Sequence, residues 1–173
     1  MASSIAAYRR GYLGAMRSAI GLISLALLGC NAPATCEDHF VPYPDMISGR
    51  ARTAKNGVLL DGMRAYAEGD HATASELLSI YLSGYAPEQQ IRLYLASSLI
   101  ALGKPFDAEL QLDFLERDGG KVFKDQIEWY RALCFLCSDQ RDRALQAATL
   151  IASSPQQAYK EEAALLAADL RSE

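Results

Sequence analysis

The stretch Gly69-Asp70-His71-Ala72-Thr73-Ala74 lies between two segments with helical apolar patterns, and its turn glycine and small residue recur further along the chain. Its first glycine and its last alanine are matched by Gly103 and Ala108, each displaced by 34 positions. A third copy fits if Asp139 takes the place of the turn glycine and Ala144 that of the small residue, 36 positions after Ala108. A period in this range indicates a repeated helix-turn-helix unit.

The segments around the turns support this interpretation. Apolar residues recur there at the i, i+3 and i+4 spacing of amphipathic helices, over about residues 51–84, 88–117 and 124–153. Asp70 can begin the second helix of the first unit by accepting a hydrogen bond from a free amide group. A last amphipathic helix, from Gln157 to about Leu170, is predicted to cover the apolar flank of the third unit.

These units resemble the tetratricopeptide repeat, whose signature has a glycine in the first helix, a Gly-Asp turn and an alanine in the second. Gly62, Gly69-Asp70 and Ala74 occupy those positions in the first unit. Ala96 and Ala132 replace the first-helix glycine in the later units.

The resemblance implies an all-α, helical-hairpin solenoid of about seven helices, including the C-terminal capping helix, over residues 51–173. An irregular helical bundle with coincidental spacing is the alternative. The three small residues that share one frame favour the repeats.

The N-terminal segment has the features of an export signal. Eleven uncharged residues, Ser18 to Leu28, follow Arg17; this is within the length of a signal-peptide apolar region and too short to span a bilayer, which needs about 20 residues. The ending Leu27-Leu28-Gly29-Cys30 resembles the lipobox of bacterial lipoproteins. The resemblance implies a signal peptide over residues 1–29 and a lipid anchor on Cys30, against the alternative of an ordinary cleaved signal.

Two features of this segment leave alternatives for the export route and for the start of translation. Arg9-Arg10-Gly11-Tyr12-Leu13 resembles a twin-arginine export motif, but Arg17, close to the apolar region, favours the general secretory route. Translation could start at Met1 or at Met16, since Met16-Arg17 would itself begin a compact lipoprotein signal.

Residues 30–50 are predicted to be an extended tether that holds the domain off the bilayer. They carry Pro33, Pro42 and Pro44 without a helical apolar period, and proline removes backbone donors and biases its predecessor away from the helix. Asn31 is not the aspartate that retains some lipoproteins in the inner membrane. The periplasmic face of the outer membrane is therefore favoured over the inner membrane.

Charge and motif content exclude several functions. Without residues 1–29, which hold three arginines and no acid, 14 basic side chains face 21 acidic ones, a net charge of −7. Such a surface repels phosphate backbones, so we expect no nucleic-acid partner. The sequence contains no G-x-S-x-G, P-loop, GxGxxG or HExxH motif, and we predict no catalytic residue, no metal site and no cofactor.

Cys134-Phe135-Leu136-Cys137 has the spacing of thiol oxidoreductases and of half a zinc site. A redox pair should open a helix, whereas this pair lies inside one, so core packing is the preferred interpretation. No second cysteine pair completes a metal site, and adjacent turns of one helix are poor disulfide geometry. Cys36-Glu37-Asp38-His39 is predicted to be solvated linker, with Cys36 an exposed thiol.

In the repeat family the first helix of each unit lines a concave surface that binds peptides or helices. Aligning the three frames places eleven residues on that surface. They are Asn56, Leu59, Met63 and Tyr66, then Gln90, Leu93, Ser97 and Ile100, then Gln126, Trp129 and Leu133. The alternative is that most of these side chains pack between helices. Tyr66, Gln90 and Trp129 are the predicted partner-binding residues.

Together these observations predict a membrane-anchored cell-envelope scaffold or adaptor. Its protein partners would bind the concave surface, its N-terminal lipid would hold it at the membrane, and self-association is also open. The rival is a periplasmic thiol-redox or metal-binding protein that uses Cys134 and Cys137.

Overall fold

The turns that define the repeats share one backbone conformation. Gly69, Gly103 and Asp139 have positive φ values of 80°, 68° and 59°. In each turn the next residue donates its amide hydrogen to a carbonyl five positions earlier: Asp70 to Ala65 (2.9 Å), Lys104 to Leu99 (2.8 Å) and Gln140 to Phe135 (2.8 Å). These bonds close the preceding helix as in a Schellman motif. The prediction that Asp139 takes the place of the turn glycine is confirmed.

The computed structural model describes residues 34–84, 88–119 and 121–172, and these residues form eight α-helices and no strand. The one-turn helix α1 (Cys36–His39) comes first. Seven longer helices follow: α2 (Gly57–Ala67), α3 (His71–Leu82), α4 (Ile91–Ala101), α5 (Pro105–Gly119), α6 (Lys124–Cys137), α7 (Arg141–Ser153) and α8 (Lys160–Arg171). The predicted all-α fold with about seven helices is confirmed.

The longer helices pack as hairpins. Helix α2 pairs with α3, α4 with α5 and α6 with α7, and each hairpin packs on the next through α3 with α4 and α5 with α6. Helix α8 packs on α7 and buries Ala163, Leu166, Ala167 and Leu170, as predicted for a capping helix. Asp70 caps α3 by accepting a hydrogen bond from the Thr73 amide at 3.0 Å.

Small residues allow the two helices of each hairpin to approach closely. Ala74, Ala108 and Ala144 are fully buried. A Cβ atom on Gly62 would lie 3.1 Å from side-chain atoms of Leu77 and Leu78, which shows how closely α2 approaches α3. The glycine and the alanines of the repeat frame therefore serve helix contact.

The buried apolar side chains form two clusters. One joins α2 and α3 to one face of α4, and the other joins another face of α4 to α5, α6, α7 and α8. Tyr43, which precedes the repeats, packs against both clusters. The segment that carries it therefore contacts the whole row of units.

The predicted signal peptide and Cys30 lie outside the described residues. Within the ranges that the structure describes, no helix has the length and apolar character needed to cross a membrane.

Candidate functional site

Residues 34–49, called the strap below, lie across the first helices of the three units. The prediction that this segment is an extended spacer holds only in part, because α1 interrupts it and because Ala34 and Ile47 are buried in the two apolar clusters. The prolines do exclude helix from Phe40 to Met46. An extended backbone leaves its N–H and C=O groups without partners inside the segment, so polar groups on a neighbouring surface can bond to them. The same surface can bury the side chains that point toward it.

Hydroxyl groups from α2, α4 and α6 bind the strap backbone. We call the surface that Tyr66, Tyr94, Ser97 and Tyr130 form the groove. The contacts with the strap come from all three units. Tyr130 Oη donates to the Val41 carbonyl (2.9 Å) and Tyr66 Oη donates to the Tyr43 carbonyl (2.6 Å). The Tyr43 amide donates to Ser97 Oγ (3.1 Å), and the Met46 amide donates to Tyr94 Oη (3.3 Å).

The centre of the groove is a closed hydrogen-bond network. Tyr66 Oη lies 3.0 Å from Ser97 Oγ as well as 2.6 Å from the Tyr43 carbonyl oxygen. Each hydroxyl has one proton, so every group is satisfied when Tyr66 donates to the carbonyl and Ser97 donates to Tyr66. The two side chains are almost fully buried, and loss of either would leave a buried polar group without its partner.

The ring of Tyr43 enters an aromatic pocket. Its centroid lies 5.2 Å from that of Tyr94 and 6.1 Å from that of Tyr130, with interplanar angles of 65° and 78°. These edge-to-face arrangements are favourable for aromatic pairs. Burial raises the pKa of the hydroxyl groups of Tyr66, Tyr94 and Tyr130. They therefore stay protonated and keep their capacity to donate at neutral pH.

A disulfide bond between Cys36 and Cys137 holds the N-terminal end of the strap. The predictions of an exposed Cys36 thiol and of a solvated linker around it are wrong. Thr35 and Asp38 form a capping box that closes the one-turn helix carrying Cys36, and the hydrogen bonds from Thr35 lower the pKa of the Asp38 carboxyl. This local turn places Cys36 against the end of α6.

Charged groups support the same end. Arg141 donates two hydrogen bonds to the Ala34 carbonyl, each of 3.1 Å. His39 Nε2 lies 3.2 Å from a carboxylate oxygen of Asp169, which permits an ion pair with the protonated imidazole but is not aligned as a hydrogen bond. The N-terminal end is thus fixed by α6, α7 and α8.

Cys134 and Cys137 have different environments. Cys134 carries a free thiol inside the core, as the core-packing interpretation predicts, and burial raises its pKa to about 12. Cys137 belongs to the disulfide with Cys36, so it has no thiolate to offer a metal. Across residues 34–84, 88–119 and 121–172, no three His, Cys, Asp or Glu side chains are grouped as metal ligands.

The C-terminal end of the strap is held by burial and a turn. Ile47 is only 2% exposed and belongs to the apolar cluster formed by α2, α3 and one face of α4. The carboxylate of Asp45 accepts hydrogen bonds from the amides of Ile47 (2.8 Å) and Ser48 (3.0 Å). Just beyond the strap, Arg50 pairs with Glu88 at 2.9 Å.

The three predicted partner-binding residues have different positions. Tyr66 belongs to the groove. Gln90 is half-buried at the start of α4 and donates to Glu88 at 2.9 Å, beside the strap's C-terminal end. Trp129 is 3% exposed and stacks on Tyr159, with centroids 5.7 Å apart. It lines a cleft of about 220 Å³ with the two strap prolines and Tyr130.

Sequence reasoning missed Tyr94 and Tyr130. These tyrosines are 36 positions apart, the same displacement that relates Ala108 to Ala144, so a recurring aromatic residue in the repeat frame was the available signal. The apolar residues of the predicted surface, by contrast, are buried within the core clusters. They are Leu59, Met63, Leu93, Ile100 and Leu133. For them the alternative of packing between helices is confirmed.

Comparison with known proteins adds no relative: no family model, no curated protein and no solved structure matches this chain. The molecule is therefore defined by its own geometry. It is an all-α protein built of helical hairpins, and one of its segments fills the face formed by the first helices.

Proposed function

We propose that the protein is a membrane-anchored adaptor of the bacterial cell envelope, whose groove receives extended segments of partner proteins. The observation that supports this most is the strap itself. The groove already holds an extended chain through hydrogen bonds to two of its carbonyls and two of its amides. Main-chain bonds of this kind give affinity for extended peptides in general, and the side-chain pockets give selectivity.

The location rests on the N-terminal sequence and is supported by the disulfide. The uncharged segment that ends at Leu27-Leu28-Gly29-Cys30 resembles a lipoprotein signal. Disulfide bonds persist in oxidising compartments such as the periplasm and are rare in the bacterial cytosol. We therefore propose a lipid on Cys30 and, because Asn31 follows it, the periplasmic face of the outer membrane.

Because the strap packs on the helices, the proposed distance between the domain and the bilayer is shorter than an extended tether over residues 30–50 would give. Only three residues separate Cys30 from Ala34, which is buried, and the four steps along the chain from Cys30 to Ala34 span at most about 14 Å. A lipid on Cys30 would thus hold the N-terminal end of the strap, and the third unit bound to it, close to the membrane surface.

The proposed role is binding rather than catalysis, without a nucleic-acid partner, a metal or another cofactor. The net charge of the chain after residue 29 supports the exclusion of nucleic acid. The rival thiol-redox or metal-binding role would require Cys137 to leave Cys36 and approach Cys134, which is buried on the same helix.

Fractionation of cells tests the anchor. Replacing Cys30→Ala should move the protein from the membrane fraction to the soluble periplasmic fraction, because the acyl chains supply the membrane affinity. The matched control is Cys36→Ala, which removes another cysteine near the N-terminus and should leave the protein in the membrane fraction. Retention of the Cys30→Ala protein in membranes would contradict the proposed anchor.

Capture of envelope proteins tests the groove. Tyr43→Ala removes the strap's central anchor and should increase recovery of a specific partner, whereas Val41→Ala changes an outward side chain and should not. Adding Tyr66→Phe to Tyr43→Ala should reduce that recovery, since the groove then lacks a donor for the bound backbone. Identical partner recovery by all of these chains would count against the groove.

A further inference from the structure

We infer that the groove selects tyrosine segments flanked by proline, and that the Cys36–Cys137 disulfide keeps the chain's own segment of this kind in place. Reduction of the disulfide by a dithiol would then open the groove to a partner segment of the same chemistry. This inference rests on the proposed function, because it specifies the partner and the control of the same groove.

The sequence Val41-Pro42-Tyr43-Pro44 matches the chemistry of the groove residue by residue. Tyr43 is the inward side chain, and its edge-to-face contacts with Tyr94 and Tyr130 favour a flat aromatic ring at this position. The flanking prolines are exposed. They favour an extended backbone before binding, which lowers the entropy lost on binding, and they carry no amide hydrogen that would need a partner.

Apart from the disulfide, only non-covalent contacts hold the N-terminal half of the strap: burial of Ala34, packing of Phe40 and the Arg141 hydrogen bonds to the Ala34 carbonyl. The outward face of the strap is open, with Val41 69% and Met46 76% exposed. The inward anchors next to the groove are Tyr43 and Ile47, and a single hydrogen bond between the groove and the strap makes only a modest net contribution to stability. The covalent bond therefore makes the largest difference to whether the N-terminal half of the strap stays in place.

The disulfide can be reached by a small reductant, because Cys36 and Cys137 are both partly exposed. A dithiol thiolate attacks one sulfur, forms a mixed disulfide with that cysteine and releases the other cysteine as a thiolate, which takes up a proton. The second dithiol sulfur then displaces the first cysteine. Two electrons pass to the protein, which gains two thiols, and the dithiol becomes a cyclic disulfide.

Reduction makes the strap an exchangeable occupant. The strap stays attached to α2 through residues 50–56 and still competes for the groove at a high effective concentration. A partner segment can then bind whenever the N-terminal half lifts away. In the oxidised chain the disulfide holds one end of the strap and the connection to α2 holds the other, so such exchange is prevented.

The test uses a fluorescent peptide with the sequence of residues 39–47 and follows its anisotropy as the full chain is added. We expect the peptide to bind the wild type at least tenfold more tightly after treatment with dithiothreitol than in the oxidised state. Cys36→Ser should behave like the reduced wild type without any reductant. Reduced Tyr43→Ala should bind most tightly, since its own strap competes least.

A second peptide, with alanine in place of the tyrosine, tests the selectivity and should bind the reduced Tyr43→Ala chain at least tenfold more weakly. Equal binding of the two peptides would overturn the selectivity. If the first peptide binds the reduced Tyr43→Ala chain but binds oxidised and reduced wild type alike, the redox control is wrong and the proposed function survives. If it fails to bind the reduced Tyr43→Ala chain at all, the groove does not accept a separate segment and the proposed function fails as well.

Discussion

The two ends of the strap are held by different kinds of interaction. At the N-terminal end a disulfide joins Cys36 to Cys137, and Arg141 bonds to the Ala34 carbonyl. At the C-terminal end Ile47 is buried in an apolar cluster, and the chain continues into α2. One end is therefore fixed by a bond that a dithiol can break, while the other is fixed by burial and by chain connectivity.

This difference defines a hinge. Loss of the disulfide frees only the end that leads toward Cys30, whereas the end next to α2 stays docked on the first unit. The groove lies between the two ends, so the state of one covalent bond decides how tightly it is filled. Changes at each end, and between them, should therefore have effects of different size.

The largest effect should follow removal of the disulfide. Cys36→Ser should lower the free energy of unfolding by about 4 kcal/mol, because the bond closes a loop between residues 101 positions apart in the sequence. Urea unfolding followed by circular dichroism measures this loss. Wild type in dithiothreitol should match the variant, and a variant as stable as the oxidised wild type would contradict the role of the bond.

Truncation at the opposite end should have the next largest effect. Ile47→Ala should lower the free energy of unfolding by about 3 kcal/mol, since it leaves a cavity in the first apolar cluster. The control Met46→Ala changes the exposed neighbour and should cost less than about 0.5 kcal/mol. Equal losses for the two variants would show that the C-terminal end is not docked.

Between the ends, Tyr66→Phe should lower the free energy of unfolding by about 2 kcal/mol. The substitution leaves the Tyr43 carbonyl without its buried donor and removes a partner of Ser97. Tyr159→Phe is the matched control, because its hydroxyl makes no hydrogen bond to the strap. The same urea titration compares the two, and a Tyr66→Phe chain no less stable than the control would contradict the hydrogen-bond network.

The smallest effect concerns the turn at Asp45. Burial raises the pKa of this carboxyl, but hydrogen bonds from the Ser48 hydroxyl and from the amides of Ile47 and Ser48 outweigh it, so the pKa is lower in the folded chain than its ordinary value. A lowered pKa gives stability that is fully present above the ordinary value of about 3.9 and is lost as the pH falls through the folded value.

Asp45→Asn isolates this contribution from the other carboxyl groups. The wild type should exceed the variant in stability by less than about 1 kcal/mol at pH 7, and the difference should shrink toward pH 3. Urea midpoints at the two pH values measure it. A difference that grows with acidification would contradict the assigned direction of the pKa shift.

The fold was predictable because its signals are local. A glycine or aspartate at a positive φ, a capping aspartate and a buried alanine each act within one turn, so their spacing appears directly in the sequence. The prediction missed the packing of the strap because its contacts are distant: Tyr43 bonds to Ser97, 54 positions away, and Cys36 to Cys137, 101 positions away. A segment rich in proline gives no periodic signal for such contacts.

The site was predictable in part for the same reason. The repeat frame placed Tyr66 and Ser97 on the first-helix face, where the structure has them. It could not show that the chain supplies its own occupant for this face, nor that Trp129 would be covered by Tyr159 from beyond the third unit. The partner-binding roles of Tyr66, Gln90 and Trp129 stay predictions.

Hydrogen exchange measured by mass spectrometry tests most directly whether the strap fills the groove and is released from one end. In the oxidised chain the amides of Tyr43 and Met46 should be protected, because Ser97 and Tyr94 accept their hydrogens. After reduction, exchange should rise by at least tenfold at Tyr43, while Ile47 and α2 stay protected. Rapid exchange at Tyr43 in the oxidised chain would show that the strap does not fill the groove. Protection unchanged by reduction would show that the disulfide does not control its N-terminal end.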